Sequence, residues 1–226
     1  MEDKKKVIEI IKPAEIEKRS FEIISEELDR TGVRINGNIT VTEADDARIL
    51  SIIKRCIHTT ADFDYAKSMY FSNGAIDTLE ELIRGGATII TDTNMALSGI
   101  NKKELSKYGC EAKCFMSDED IAKEAAARQL TRAHVSMEHA MKIGENVMFV
   151  VGNAPTALIT LREHFDSGDY RPAFIVGVPV GFVNVETSKE LIRETGISCI
   201  LNMGRKGGSN VAAAIINAVL YGMRER

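Results

Sequence analysis

Histidine is the side chain most ready to gain or lose a proton near neutral pH, and His58 follows Arg55 by three residues in R-C-I-H-T-T-A-D. Two readings of it stand open. The ring acts as an acid/base toward a ligand, or it bonds the free carbonyls at the end of a helix. Two glycine loops offer a second chemistry, anion binding. G-R-K-G-G-S, from Gly204, combines glycines that let a ligand approach the backbone with two cations, Arg205 and Lys206, suited to a carboxylate or phosphate. G-N-A-P-T-A-L, from Gly152, puts Pro155 where a first helical turn tolerates it, and the free amides of such a terminus attract an anion. A tight strand-to-helix turn that touches no ligand explains the same residues. Thr131-Arg132 and Arg19-Ser20 add cation–hydroxyl pairs, which taken singly read as solvated helix surface.

Other chemistries find less support. Neither glycine loop fits G-x-x-x-x-G-K-[ST] or G-x-G-x-x-G, so a nucleotide-dependent enzyme is disfavoured. His134 and His139 are five apart on a predicted helix, diverge by more than a quarter turn, and do not converge on one metal. Cys110 and Cys114 have no second pair nearby to complete a zinc site, so no metal is expected. A net charge of -4 and the absence of Trp argue against general nucleic-acid binding. No run of eighteen apolar residues predicts a membrane span, and M-E-D-K-K-K-V-I-E-I lacks the apolar core of a signal peptide. Four cysteines in 226 residues read as free thiols, and the expected location is the cytoplasm.

These residues need a scaffold that gathers loops, and the pattern supplies one. Helical spacing is predicted over 13–30 (stopped by Gly32), over 42–57 with Thr42 as cap, and over 75–84 before Gly85-Gly86. Further helices are expected at 118–143 (as two), 154–165, 186–195 and 209–224. Short apolar runs at 87–91, 110–115, 147–151, 173–178 and 198–203 read as strands buried on both faces. Their alternation with helices predicts a single α/β domain over 13–226, three-layer α/β/α with a mostly parallel sheet, behind a charged segment at 1–12. In such sheets ligands bind beyond the carboxyl ends of the strands, where the loops singled out above all lie.

Taken in order, E-K-R-S-F around Ser20, R-C-I-H, D-T-N-M from Asp92, T-R at Thr131, G-N-A-P-T-A-L, G-V-P-V-G-F-V followed by Ser188-Lys189, and G-R-K-G-G-S make the chain resemble the precorrin-8X and cobalt-precorrin-8 methylmutase family. The resemblance runs from about Pro13 to Tyr221. It implies an isomerase of cobalamin biosynthesis, usually a homodimer and without a cofactor. Its reaction moves a methyl group from C-11 to C-12 of a tetrapyrrole polycarboxylate, whose ring carries cobalt in one branch of the pathway. It also implies that His58 is the catalytic residue and that Arg19, Ser20, Arg55, Thr131 and Arg132 contact the substrate; Asp92, Thr93, Asn153, Arg205 and Lys206, in the loops singled out at the same edge, complete the candidate substrate contacts.

The chain departs from the family at two positions. Cys56 stands where methionine is frequent and is expected to pack. Ala133 stands where serine is frequent, which predicts one missing hydroxyl contact to a substrate carboxylate. The competing reading from another class is a non-catalytic tetrapyrrole carrier or sensor. It predicts pigment binding without conversion, and it leaves His58 without a task.

Overall fold

Runs such as V-M-F-V-V and F-I-V-G are apolar at every position, so a strand made of them needs cover on both faces. In the computed structural model, which describes residues 8–32, 34–35, 39–40 and 47–224, they receive it. The central sheet contains β3 (Met69–Phe71), β4 (Thr88–Thr91), β5 (Glu111–Lys113), β6 (Val147–Val151), β7 (Phe174–Gly177) and β8 (Cys199–Asn202) in the order β3-β8-β7-β6-β4-β5. All neighbours pair in parallel except β3, which runs antiparallel to β8 with Met69 opposite Asn202. β1 (Arg34–Ile35) and β2 (Ile39–Thr40) form a separate small hairpin.

Alternation along the strands divides the core in two. Met148, Val150, Phe174, Val176 and Ile200 join a cluster under α1 (Ile16–Thr31), α2 (Ala47–Thr60), α4 (Ala75–Arg84) and α11 (Ser209–Arg224). Val147, Phe149, Val151, Ile175 and Leu201 join a second cluster under α8 (Arg132–Met141), α9 (Pro155–Ser167) and α10 (Val185–Glu194). The period of two in a strand sends neighbouring side chains to opposite layers. The result is the expected single three-layer domain with a mostly parallel sheet.

Local details differ from the sequence reading. A 3-10 turn over Pro13–Glu15 precedes α1, and Gly32 closes it at φ 57. Thr42, the expected cap of α2, lies outside the described residues. The 118–143 stretch splits into α7 (Glu119–Arg128) and α8, parted by Gln129 in a left-handed conformation at φ 54. Short helices α3 (Tyr65–Ser68), α5 (Asn94–Gly99) and α6 (Lys102–Leu105), with β3, were not foreseen. Because β3 is antiparallel, its entry is at the carboxyl edge of the parallel strands, and this brings the end of α2 there too.

Candidate functional site at the carboxyl edge of the sheet

Asp92 leaves β4 at 0 % exposure, and both its oxygens are occupied. Oδ1 accepts the Gly152 amide at 2.8 Å, and Oδ2 accepts those of Asn153 and Ala154 at 2.7 and 2.6 Å. Burial pushes this carboxyl upward, and the three amide donors pull against it. The anion drawn to the start of α9 is therefore the chain's own, and Asp92 shapes the loop instead of facing a ligand as expected. Asn153 keeps an exposed side chain on that loop. Its neighbour Gly152 is obligatory, because a Cβ there would lie 2.7 Å from Ser209 Cα.

The adjoining helix starts are locked to one another. Thr93 caps α5 by accepting the Ala96 amide at 3.1 Å and shares a 2.7 Å hydrogen bond with Ser209 at the start of α11. Thr131 caps α8 by accepting the His134 amide at 3.1 Å, and its hydroxyl donates to Thr156 of α9. Arg132 beside it is exposed and has no hydrogen-bond or ion-pair partner among the described residues. Ala133 is only 3 % exposed and packs in the core, so a serine hydroxyl there would not reach a ligand; the predicted lost contact does not arise.

In the β8–α11 loop, the expected cations are already paired. Arg205 donates to Glu186 at 2.8 Å and lies 5.6 Å over the exposed Phe182 ring. Lys206 donates to Asp62 and Asp64 at 2.6 and 2.7 Å, which holds its ammonium above the ordinary lysine range and Asp62 below the usual carboxylate range. The same contact ties the loop to the segment that follows α2.

At that end of α2, His58 is exposed, and its ring nitrogens have no hydrogen-bond partner among the described residues. The helix is closed without it, by the Thr60 hydroxyl on the Cys56 carbonyl and the Ala61 amide on that of Ile57. The ring stacks on Phe21 of α1, centroids 5.1 Å apart and planes 19° from parallel. Arg55 pairs with Glu17 and lies over Phe21 and Tyr221, 4.7 and 5.3 Å from their centroids. Cys56 is fully buried, and burial raises its thiol pKa, in keeping with packing.

Residues 17, 21, 24 and 28 of α1 face α2, and at 100° per residue Arg19 lies about 200° around the helix from Phe21. It pairs with Glu9, Glu22 and Glu26, so within one chain it does not reach His58. Ser20 donates to the Ile16 carbonyl at 3.0 Å. A cavity of about 430 Å³ lined by Arg48, Ser51, Glu80 and Val219 adjoins Ala47, at the opposite end of α2 from His58, and takes in none of these residues.

One functional-looking residue was quoted in the sequence without a role. Lys189 is 0 % exposed, and its ammonium donates to the Gly204 and Lys206 carbonyls at 2.7 and 3.0 Å. Burial pushes its pKa down to about 8. The spacing Val185, Ser188, Lys189, Ile192, all buried, marks it as core-facing and was legible.

Against known proteins, the family model described as precorrin-8X methylmutase matches residues 15–222. A cobalt-precorrin-8 methylmutase from Salmonella typhimurium is 43% identical over 96% of this chain and 98% of its own. One from Priestia megaterium is 38% identical over 92% and 88%. The crystal structure of precorrin-8X methyl mutase from Thermus thermophilus superposes with a TM-score of 0.79 at 32% identity, covering 93% of this chain and 98% of that one. With sequence and fold in agreement over nearly its whole length, the chain belongs to the precorrin-8X methylmutase family.

Proposed function

We propose that this chain moves a methyl group from C-11 to C-12 of cobalt-precorrin-8, giving cobyrinate, with His58 as proton donor and acceptor. Membership of the family makes the chain an isomerase, a methylmutase. The relatives at 43% and 38% identity bear the cobalt-precorrin-8 name, and the solved structure at 32% bears the precorrin-8X name, which favours the cobalt-containing ring. Cobalt belongs to the substrate in this reading, and no cofactor is required. A migration within one molecule needs no covalent nucleophile. It needs a proton placed on or near the ring to reach the tautomer that rearranges. The observation that carries the reading is the exposed imidazole of His58, its nitrogens without a hydrogen-bond partner among the described residues, at the end of α2, whose following segment Lys206 ties to the β8–α11 loop.

A polycarboxylate ring needs cations that can turn toward it. Among the described residues Arg132 has no partner to give up, and Arg205 and Lys206 sit in exposed ion pairs, which competing carboxylates can open. Asn153 and the exposed Phe182 offer a polar and an apolar contact at the same edge. We extend the proposal to a homodimer in the cytoplasm. Ile16 and Ile23, 52% and 43% exposed on α1, suit a face covered by a second copy, and four free cysteines suit a reducing compartment. No helix among the described residues is long and apolar enough to cross a membrane. The test is to incubate the protein with cobalt-precorrin-8 and with precorrin-8X separately and follow the visible spectrum. Conversion of the first supports the reading; binding of either pigment without conversion defeats it in favour of a carrier.

A further inference from the structure

A lysine buried without a carboxylate partner is costly, because its ammonium gives up hydration for whatever dipoles the protein supplies. Lys189 spends its donors on two backbone carbonyls, those of Gly204 and Lys206. The rest of the loop is held the same way. The Lys206 carbonyl also accepts from Asn202 Nδ2 at 2.8 Å, with Asn202 fixed in turn by Ser68, and the Arg205 carbonyl accepts from the Gly181 amide at 3.2 Å. Three successive carbonyls are therefore taken up by donors within the chain. Among the described residues there are no cis peptide bonds, and in a trans peptide the N–H points opposite to the C=O. The amides of Arg205, Lys206 and Gly207 consequently point away from those donors, and none has an acceptor among the described residues. Gly207 is required: at φ 157 it packs so closely that a Cβ would fall 2.0 Å from the Val178 carbonyl oxygen.

We infer that Lys189 is the positioning residue of an anion grip formed by the backbone amides of Arg205, Lys206 and Gly207, which holds a carboxylate arm of the substrate beside the exchangeable Arg205 and Lys206 side chains. The inference rests on the methylmutase reading for the identity of the anion. Lys189 itself does not touch the ligand. It fixes which way three peptide planes face, much as a bound cation does with carbonyls. Successive amides turned this way form an anion-binding concavity, and the neighbouring start of α11 adds its positive end.

Two measurements test this. In steady-state turnover of cobalt-precorrin-8, Lys189→Met raises KM about tenfold or more, the loss of hydrogen bonds to a charged group, with kcat within about threefold. Its melting temperature falls modestly, since the Gly204 carbonyl loses its donor while that of Lys206 keeps Asn202. A parental KM in Lys189→Met, or a loss confined to kcat, overturns the inference. Should that variant not fold, Asn202→Ala, which releases the same Lys206 carbonyl, raises KM about threefold, and an unchanged KM there counts equally against it. Independently of activity, titration with sodium sulfate shifts the 15N–1H signals of Arg205, Lys206 and Gly207 in the parent and not in Lys189→Met. If those parental signals stay still, no grip exists. If the parent converts no substrate, the functional reading fails, and the sulfate titration alone decides the grip.

Discussion

The chain's four histidines divide one against three across the sheet, and the two sides treat the imidazole differently. On the α2 side, His58 has a phenyl ring against one face and, among the described residues, no hydrogen bond to its nitrogens. On the α7–α9 side, His134 meets Glu138 at 3.1 Å and Thr160 at 2.8 Å, His139 meets Glu124 at 2.9 Å, and His164 lies 3.9 Å from Glu138. Arg128 bridges Glu138 and Glu124, so these rings belong to a network that joins three helices. A ring bonded at both nitrogens, as His134 is, has nothing to offer a ligand without breaking the fold locally. One held only by stacking keeps its direction and leaves its nitrogens available.

The contrast breaks most readily at His58. His58→Ala is expected to lower kcat by 10² or more, the usual share of a positioned acid/base, while product binding persists and the melting temperature moves little. Turnover at the parental rate would place the chemistry elsewhere. The opposite extreme is Asp92, fully buried with three amides on its oxygens. Asp92→Ala strands three amides and is expected to destabilise by about 3 kcal/mol or more, read in urea unfolding; activity then falls through loss of folded protein, and wild-type stability in this variant would refute the assignment.

Smaller effects sharpen the comparison. His134→Ala is expected to cost about 1–2 kcal/mol, a melting shift of about 2–8 °C, with kcat within about threefold of the parent. A large kcat loss there would erase the distinction between the two sides. Glu138 supplies a pH test. The Arg128 guanidinium first, and His134 after it, hold its carboxyl at about 2 against an ordinary 4.5. A depressed carboxylate contributes its full stability above pH 4.5 and loses it as pH falls through about 2. The melting temperature of Glu138→Gln should therefore lie below the parent's at neutral pH, and the gap should close between pH 4.5 and 2; a constant gap contradicts the pairing. Last, Ala133→Ser is expected to leave KM unchanged and to cost about 1 kcal/mol or less, since the position faces the core. A lowered KM would restore the hydroxyl contact that the structure denies.

Much of the architecture was legible. Val147–Val151 announces a strand buried on both faces, and Pro155 and Gly168 bracket α9 with residues that start and stop helices. β3 was not, because three residues carry no periodicity and its pairing of Met69 with Asn202 depends on a strand far along the chain. At the site, the loops were placed at the carboxyl edge, but the partners that their side chains find within the chain were not legible. Asp92, Arg55, Arg205 and Lys206 all read as groups offered to a ligand, and all four have partners within the chain. The signal for Lys189 was present in its buried helical spacing, although a lysine is the residue type least often assigned to a core.

The sequence by itself determined the elements, their alternation into three layers and the edge at which the loops collect. Strand and helix periodicities, caps and glycine stops act over a few residues and leave their mark there. Only the tertiary structure decided which polar groups remain free. Lys206 finds Asp62 across 144 positions, Asp92 finds the Gly152 amide across 60, and Arg55 finds Glu17 across 38. Charges and amides pair by distance in space, and no local pattern records who the partner is. His58 is distinguished by the absence of such a partner among the described residues, a property that exists only once the chain has folded.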